Sequence, residues 1–247
     1  AMEIVDKFNE VGNNFAISSA GIGEALKRSA SALAAAGNTI DESIALIVAA
    51  NSVVQDPDVV GTAMKTISMY LRAAKTEAEE AGVATDGMAE SVASLREELK
   101  QLTGVDIMID NNTFKGTYQI MEEISKIWKD LSGTTQANVT NLLGGKRNAN
   151  VITSMLENFD DARAVIEATK NAAGSAATEN EKFLNSINGQ LKQLKTNFEA
   201  LSSSIVNSAL VKNILSFANN LLEILVKIED ASGMVSKALY LKVFSMV

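Results

Sequence analysis

A single proline, Pro57, stands in a chain of 247 residues, and along most of that length apolar side chains recur at spacings of three and four. Proline interrupts helices, and a three-four spacing lines apolar groups along one helical face, so both observations demand a fold made of helices. Aromatic residues make up 5% of the chain although hydrophobic residues reach 47%. Sandwiches and barrels draw on more turn residues and on more aromatic or β-branched strand formers than are present here. The expected fold class is all-α, a multi-helix bundle with enough apolar content for one large helical domain or two small ones.

The punctuation between the apolar stripes is local and readable. Ile22, Leu26 and Leu33 share one helical face, and Gly37-Asn38 stops that helix. Thr39 and Glu42 make a capping box ahead of Ile44, Ile47 and Val48, so a second helix begins almost at once. Asp56-Pro57 is the sharpest start signal, because aspartate accepts from free amides and proline fits the first helical position, where no donor is needed. Val60, Met64, Ile67 and Leu71 form the stripe that follows. After a small-residue break from Gly82 to Gly87, Val92, Leu95, Leu99 and Leu102 define a helix that Gly104 ends. Ile120, Ile124, Ile127 and Leu131 form a further stripe, with Trp128 beside it as a core anchor. Thr134-Thr135-Gln136 begins the segment carrying Val139, Leu142 and Leu143; Val151, Ile152, Met155, Leu156 and Phe159 begin another, continued by Ala162, Val165 and Ile166.

One passage carries a strand signal. Val105-Asp106-Ile107-Met108-Ile109 alternates apolar and polar, Asp110 to Thr113 supplies turn residues, and Phe114-Lys115 returns, which predicts a short β-hairpin near 105–115. The same Asp106, Asp110, Asn111 and Asn112 lack the glycine and the closing glutamate of a calcium loop. Another glycine-marked passage, Asn141 to Ile152, holds Gly144-Gly145-Lys146-Arg147 between two apolar helical segments. Glycine reaches positive φ cheaply and a helix C-terminus welcomes cations, so a helix is expected to end here. A phosphate loop is excluded by pattern: Thr140 stands where the first glycine belongs, Arg147 follows the lysine, and the preceding segment is helical.

Chemistry is limited by what is missing. The chain has no cysteine and no histidine, which removes disulfides, thiol nucleophiles, Cys/His metal sites and the usual general base near neutral pH. The carboxylates Glu157, Asp160 and Asp161 read as a solvated helix face rather than acid-base machinery. No enzyme activity, cofactor or metal is expected. A formal charge of −8 opposes non-specific phosphate binding, so no direct nucleic-acid contact is expected either. Met2 to Asp6 lacks the basic and apolar regions of a signal peptide, and the apolar run Ala238 to Val247 has no terminating signal, so the chain reads as a piece of a longer protein.

The last third differs from the rest. Thr178 and Glu181 offer a capping box, and Phe183, Ile187, Leu191, Leu194, Phe198, Leu201 and Ile205 follow at spacings of three and four. The pattern predicts one long amphipathic helix from about Thr178 to Glu229, on the order of 75 Å at 1.5 Å per residue. Leu210 to Ile228 is dense in apolar residues, but Lys212, Asn219, Asn220, Glu223 and Lys227 interrupt it, which favours a partner-facing helix over a membrane span. The expected organisation is a compact helical module over 1–175 and a long amphipathic helix over 176–247.

Several passages in order resemble the core region of phage tail tape measure proteins: Val11 to Ser19, Ser29 to Leu33 running into Ala36 to Thr39, and Ile47 to Asn51 through Val54 to Pro57 and on to Val60-Gly61-Thr62-Ala63. Lys65 to Arg72, Leu102 to Ile107, Asn141 to Ile152 and Ala173 to Asn180 continue the likeness. No single passage is diagnostic; their order and spacing from about Val11 to Asn180 are. Within them Asp56, Pro57, Gly61, Gly104, Asp106, Gly144, Gly145, Lys146, Arg147, Gly174 and Ser175 stand as structural motif positions. The resemblance implies a virion structural protein that measures tail length and scaffolds tube assembly. It implies self-association as a helical oligomer, contact with tail tube subunits and tail assembly chaperones, and residence in the virion tail after assembly in the bacterial host cytoplasm. The family's core has no catalytic residues to carry over. The rival reading is a membrane-interacting helical protein, such as a pore former or secreted effector.

Overall fold

The computed structural model describes residues 2–73, 75–80 and 82–202. The chain divides into two units, Ala1–Glu181 and Lys182–Val247. In the first, α1 (Met2–Asn14), α2 (Ser19–Ala35), α3 (Ile40–Val54) and α4 (Pro57–Tyr70) follow one another with short turns. Then come α5 (Lys75–Glu80), α6 (Val92–Thr103), α7 (Thr117–Ile127), α8 (Gly133–Gly144), α9 (Ala149–Glu157) and α10 (Phe159–Lys170). The last described helix, α11 (Ser175–Ser202), begins in the first unit.

The core is organised around α3, which packs against α2, α4, α9 and α10. Its sequence is apolar on every side, and the nine residues from Ser43 to Asn51 are all buried, as expected of a helix surrounded by others rather than lying on a surface. Of the polar groups this buries, Asn51 Nδ2 donates to the Ala16 carbonyl at 3.0 Å and Ser43 Oγ to the Thr39 carbonyl at 2.8 Å, while Asn51 Oδ1 has no partner among the described residues; from α9, Ser154 Oγ donates to the Ala50 carbonyl at 2.9 Å. Both halves of the Thr39/Glu42 capping box form at its start, at 3.2 and 2.7 Å. Asn38, just past α2, accepts from the Tyr118 amide at 2.8 Å and so ties the end of α2 to the start of α7.

Three sequence expectations need correction. The β-hairpin over 105–115 does not form, and no strand occurs among the described residues; one antiparallel bridge pairs Met108 with Phe114. Pairing there is confined to two backbone bonds, the Ile109 amide to the Thr113 carbonyl at 2.8 Å and the Lys115 amide to the Ile107 carbonyl at 3.0 Å. Asp106 Oδ1 accepts from the Met108 amide at 3.0 Å, and Asp110 Oδ1 from the Asn112 and Thr113 amides at 2.8 Å, so the backbone turns around each carboxylate. The apolar run from Val151 to Ile166 is two helices, not one. At Asn158 both the backbone amide and Nδ2 take the Ser154 carbonyl, at 3.0 and 2.8 Å, and this local competition breaks the ladder. Finally, Thr178 does not cap the last helix. That helix starts at Ser175, and Thr178 lies inside its first turn, donating to the Gly174 carbonyl at 3.0 Å. The continuation from 203 to 229, including Leu210 to Ile228, and the run Ala238 to Val247 lie outside the described residues.

Candidate functional site

The glycine-basic turn is built by the way α8 ends. Gly144 is the last helical residue, and Gly145 turns at φ +74 while its amide bonds the Asn141 carbonyl at 2.9 Å. Asn148 Nδ2 then donates to the Gly144 carbonyl at 2.7 Å, satisfying one of the acceptors a helix end leaves free. Lys146 to Asn148 make a single 3₁₀ turn before α9. Gly145 is a steric requirement, because at φ +74 a Cβ would also lie 2.9 Å from the Tyr70 hydroxyl; a Cβ on Gly144 would crowd Ile152 Cδ1 at 3.0 Å, a side-chain tip that can shift.

Tyr70, at the end of α4, joins this turn to the segment from Gly82 to Gly87. Its buried hydroxyl lies 3.0 Å from the Ala84 carbonyl and 3.1 Å from that of Asp86, and donates to them. Burial, then the nearby Asp86 carboxylate, push its pKa up, against a smaller opposing effect of Arg147, so at neutral pH the phenol is a firm donor. Its ring heads a small apolar cluster with Ala78 and Met88, separate from the main core. Between α4, the 82–87 segment and the glycine-basic turn lies a cleft of about 690 Å³, lined among others by Thr62, Thr66, Asp86, Asn141, Lys146 and Arg147. Lys146 and Arg147 are exposed on its rim. Neither forms an ion pair among the described residues, whereas Lys7, Arg28, Arg96, Lys115 and Arg163 each hold a carboxylate.

The other motif positions serve elsewhere. Asp56 Oδ1 caps α4 through the Asp58 and Val59 amides, both at 3.1 Å, with Pro57 at the first helical position. Gly61 lets α2 and α4 touch: a Cβ there would sit 2.5 Å from the Ala25 carbonyl oxygen. Gly104 closes α6 in the left-handed conformation at φ +74. Asp106 receives both Arg96 Nε and Nη2 at 2.7 Å, with Lys100 at 3.5 Å. The Arg96 hydrogen bonds, outweighing the effect of burial, hold its carboxyl well below the usual range. Asp106 is thus committed to this pair and Asp110 to the turn amides of Asn112 and Thr113. Gly174 and Ser175 meet α1. Asp6 accepts from the Gly174 and Ala176 amides at 3.1 Å each, and Ser175 Oγ donates to Glu10 Oε2 at 2.7 Å while accepting from Asn9 Nδ2 at 2.9 Å. Thus only Gly144 to Arg147 share the cleft.

Of the acidic trio Glu157, Asp160 and Asp161, Asp160 pairs with Arg163 at 2.5 Å, Asp161 accepts from Ser52 at 2.6 Å, and Glu157 is exposed. Tyr70, Asp86 and Asn141 are the cleft residues that sequence reasoning did not single out. Tyr70 lies beside the Val60, Met64, Ile67 and Leu71 stripe, and only its position three residues after Ile67 hinted at burial. No helix among the described residues is long and apolar enough to cross a membrane.

No solved structure matches this chain. The family model for phage-related minor tail protein matches residues 1–145, more than half of the 247 residues and all of the bundle through α8 and Gly145. The chain belongs to the phage-related minor tail protein family.

Proposed function

We propose that this tail protein is a tape measure, whose helical length sets the length of the tail and around which tube subunits assemble. Membership of a phage tail family and the ordered passages from Val11 to Asn180 support this reading. The observation that carries it is α11. Earlier helices run for 6 to 17 residues between turns, whereas from Ser175 the chain continues as one helix for 28 residues. At 1.5 Å per residue that is about 42 Å of fixed length, and only uninterrupted helix converts residue count linearly into distance.

Phe183 and Leu184 on α11 are 45% and 40% exposed, an apolar surface suited to self-association with copies of the same helix. Tube subunits and assembly chaperones are the further partners in this proposal, with assembly in the host cytoplasm. The bundle then acts as a compact folded module that leads into the rod, without catalytic work. The test is electron microscopy of tails after in-frame removal of two-turn segments between Ile187 and Ile205 in the intact parent gene. Each seven-residue deletion is expected to shorten tails by about 10 Å per helical layer counted. Tails of unchanged length would assign this stretch to docking or assembly instead.

A further inference from the structure

We infer that the cleft at the glycine-basic turn is a docking groove for an acidic, extended segment of a partner protein. Its volume of about 690 Å³ falls within the ~300–1,000 Å³ typical of binding clefts. The cations on its rim are available. Lys146 and Arg147 make no ion pair among the described residues. Lys126 and Lys129 are likewise exposed and without an ion pair among the described residues, but only Lys146 and Arg147 border a cleft of this size. They do not stabilise the fold through pairing, but they supply charge complementarity to an acidic ligand.

The walls suit a polypeptide. Gly82 has nothing within 4 Å of where a Cβ would stand, so a second backbone can approach there, and the Asn141 side chain can both donate and accept. Nucleic acid fits poorly. Asp86 shares the rim, the basic surface is a patch and not a stripe, and the net charge repels a polyphosphate. This holds whether or not the chain measures tail length.

The test is fluorescence anisotropy of the full chain with a dye-labelled extended peptide of alternating Asp, Glu and Gly, beside its Asn/Gln counterpart, at low and moderate salt. The acidic peptide is expected to bind at least tenfold tighter than the amide version, and to weaken as salt rises. Lys146→Gln with Arg147→Gln is expected to lower affinity at least tenfold. Thr62→Trp, which narrows the cleft at an exposed position and keeps every charge, is expected to do the same; circular dichroism checks that both variants fold. Equal binding of the two peptides, or binding that survives both variants, would overturn the inference. So would a single-stranded oligonucleotide or millimolar inorganic phosphate that displaces the peptide completely, since the site would then be a general anion patch.

Discussion

The crossing of α2 and α4 sets up the sharpest test of this structure, because two interior helical glycines face opposite surroundings. At Gly61 an added Cβ would lie 2.5 Å from the Ala25 carbonyl oxygen and 2.8 Å from Ala25 Cα. Both obstacles are backbone, so no rotamer change relieves them and the helices must separate. Overpacking of this kind costs about 1–3 kcal/mol, here toward the upper end. Alanine returns about 1 kcal/mol of helix propensity relative to glycine, leaving a net loss near 2 kcal/mol for Gly61→Ala. At Gly23 in α2 the nearest atom to an added Cβ is Phe8 Cε2 at 3.8 Å, an ordinary contact. Gly23→Ala therefore keeps the propensity gain and stabilises by about 0.5–1 kcal/mol. Urea unfolding followed through Trp128, which is 2% exposed and the only tryptophan, reads both variants. The midpoints should move in opposite directions, and thermal midpoints for Gly61→Ala should fall by about 4–8 °C. If Gly61→Ala proved as stable as Gly23→Ala, the close approach of α2 and α4 at Ala25 would be wrong.

Asp106→Asn removes a two-pronged, partly exposed ion pair, and a loss of about 1 kcal/mol is expected at pH 7. Because the folded state lowers this carboxyl's pKa, the difference from wild type should be full above about pH 4, narrow as pH falls below the ordinary carboxylate range, and close only in strong acid; acid titration of unfolding midpoints checks it. Tyr70→Phe leaves the Ala84 and Asp86 carbonyls without their donor, and limited proteolysis should cut faster between 82 and 87. Since the folded state raises the Tyr70 pKa, the stabilising effect of the buried neutral phenol is complete below about pH 10 and is lost above it; the phenylalanine variant should show a shallower alkaline fall. Asp6→Ala removes the acceptor shared by the Gly174 and Ala176 amides, a cap worth about 1 kcal/mol. Hydrogen exchange over residues 174–178 should accelerate, with α3 amides unaffected.

The parts of this fold legible in the sequence are those whose partners lie within a turn. Thr39 with Glu42, Asp56 with Pro57, and Gly104 each act on amides or carbonyls a few residues away, and each stands where the pattern placed it. What failed was either a local rival or a distant partner. The alternation from Val105 to Ile109 suggested a strand because the eye counts apolar positions, whereas Asp106 and Asp110 capture amides two and three residues on. Helix α1 left little trace, since it buries only Lys7 and Val11. It packs on α2 and α10, and its polar side chains reach Asp41, Gly174 and Ser175, contacts that join sequence positions too far apart for any periodicity to reveal. The cleft was half visible: Gly144 to Arg147 stood out, but Tyr70 and the 82–87 segment come to it only through tertiary packing.

The start of α11 shows how such distant contacts specify a structure. Gly174 turns at φ +80, with nothing within 4 Å of an added Cβ, so the joint after α10 is permitted by glycine but not fixed by packing there. What fixes it is α1. Asp6 takes the two amides on either side of Ser175, Asn9 and Glu10 hold the Ser175 hydroxyl, and Lys7 secures α1 itself to Asp41 of α3 at 2.8 Å. A negative side chain at a helix N-terminus also meets the positive end of the helix dipole. The first residue of α11 is therefore chosen by a helix some 170 residues earlier. For the tape measure role proposed above, the zero mark would have to be defined by something other than the helix being measured, and the contact of α1 with Gly174 and Ser175 has that property.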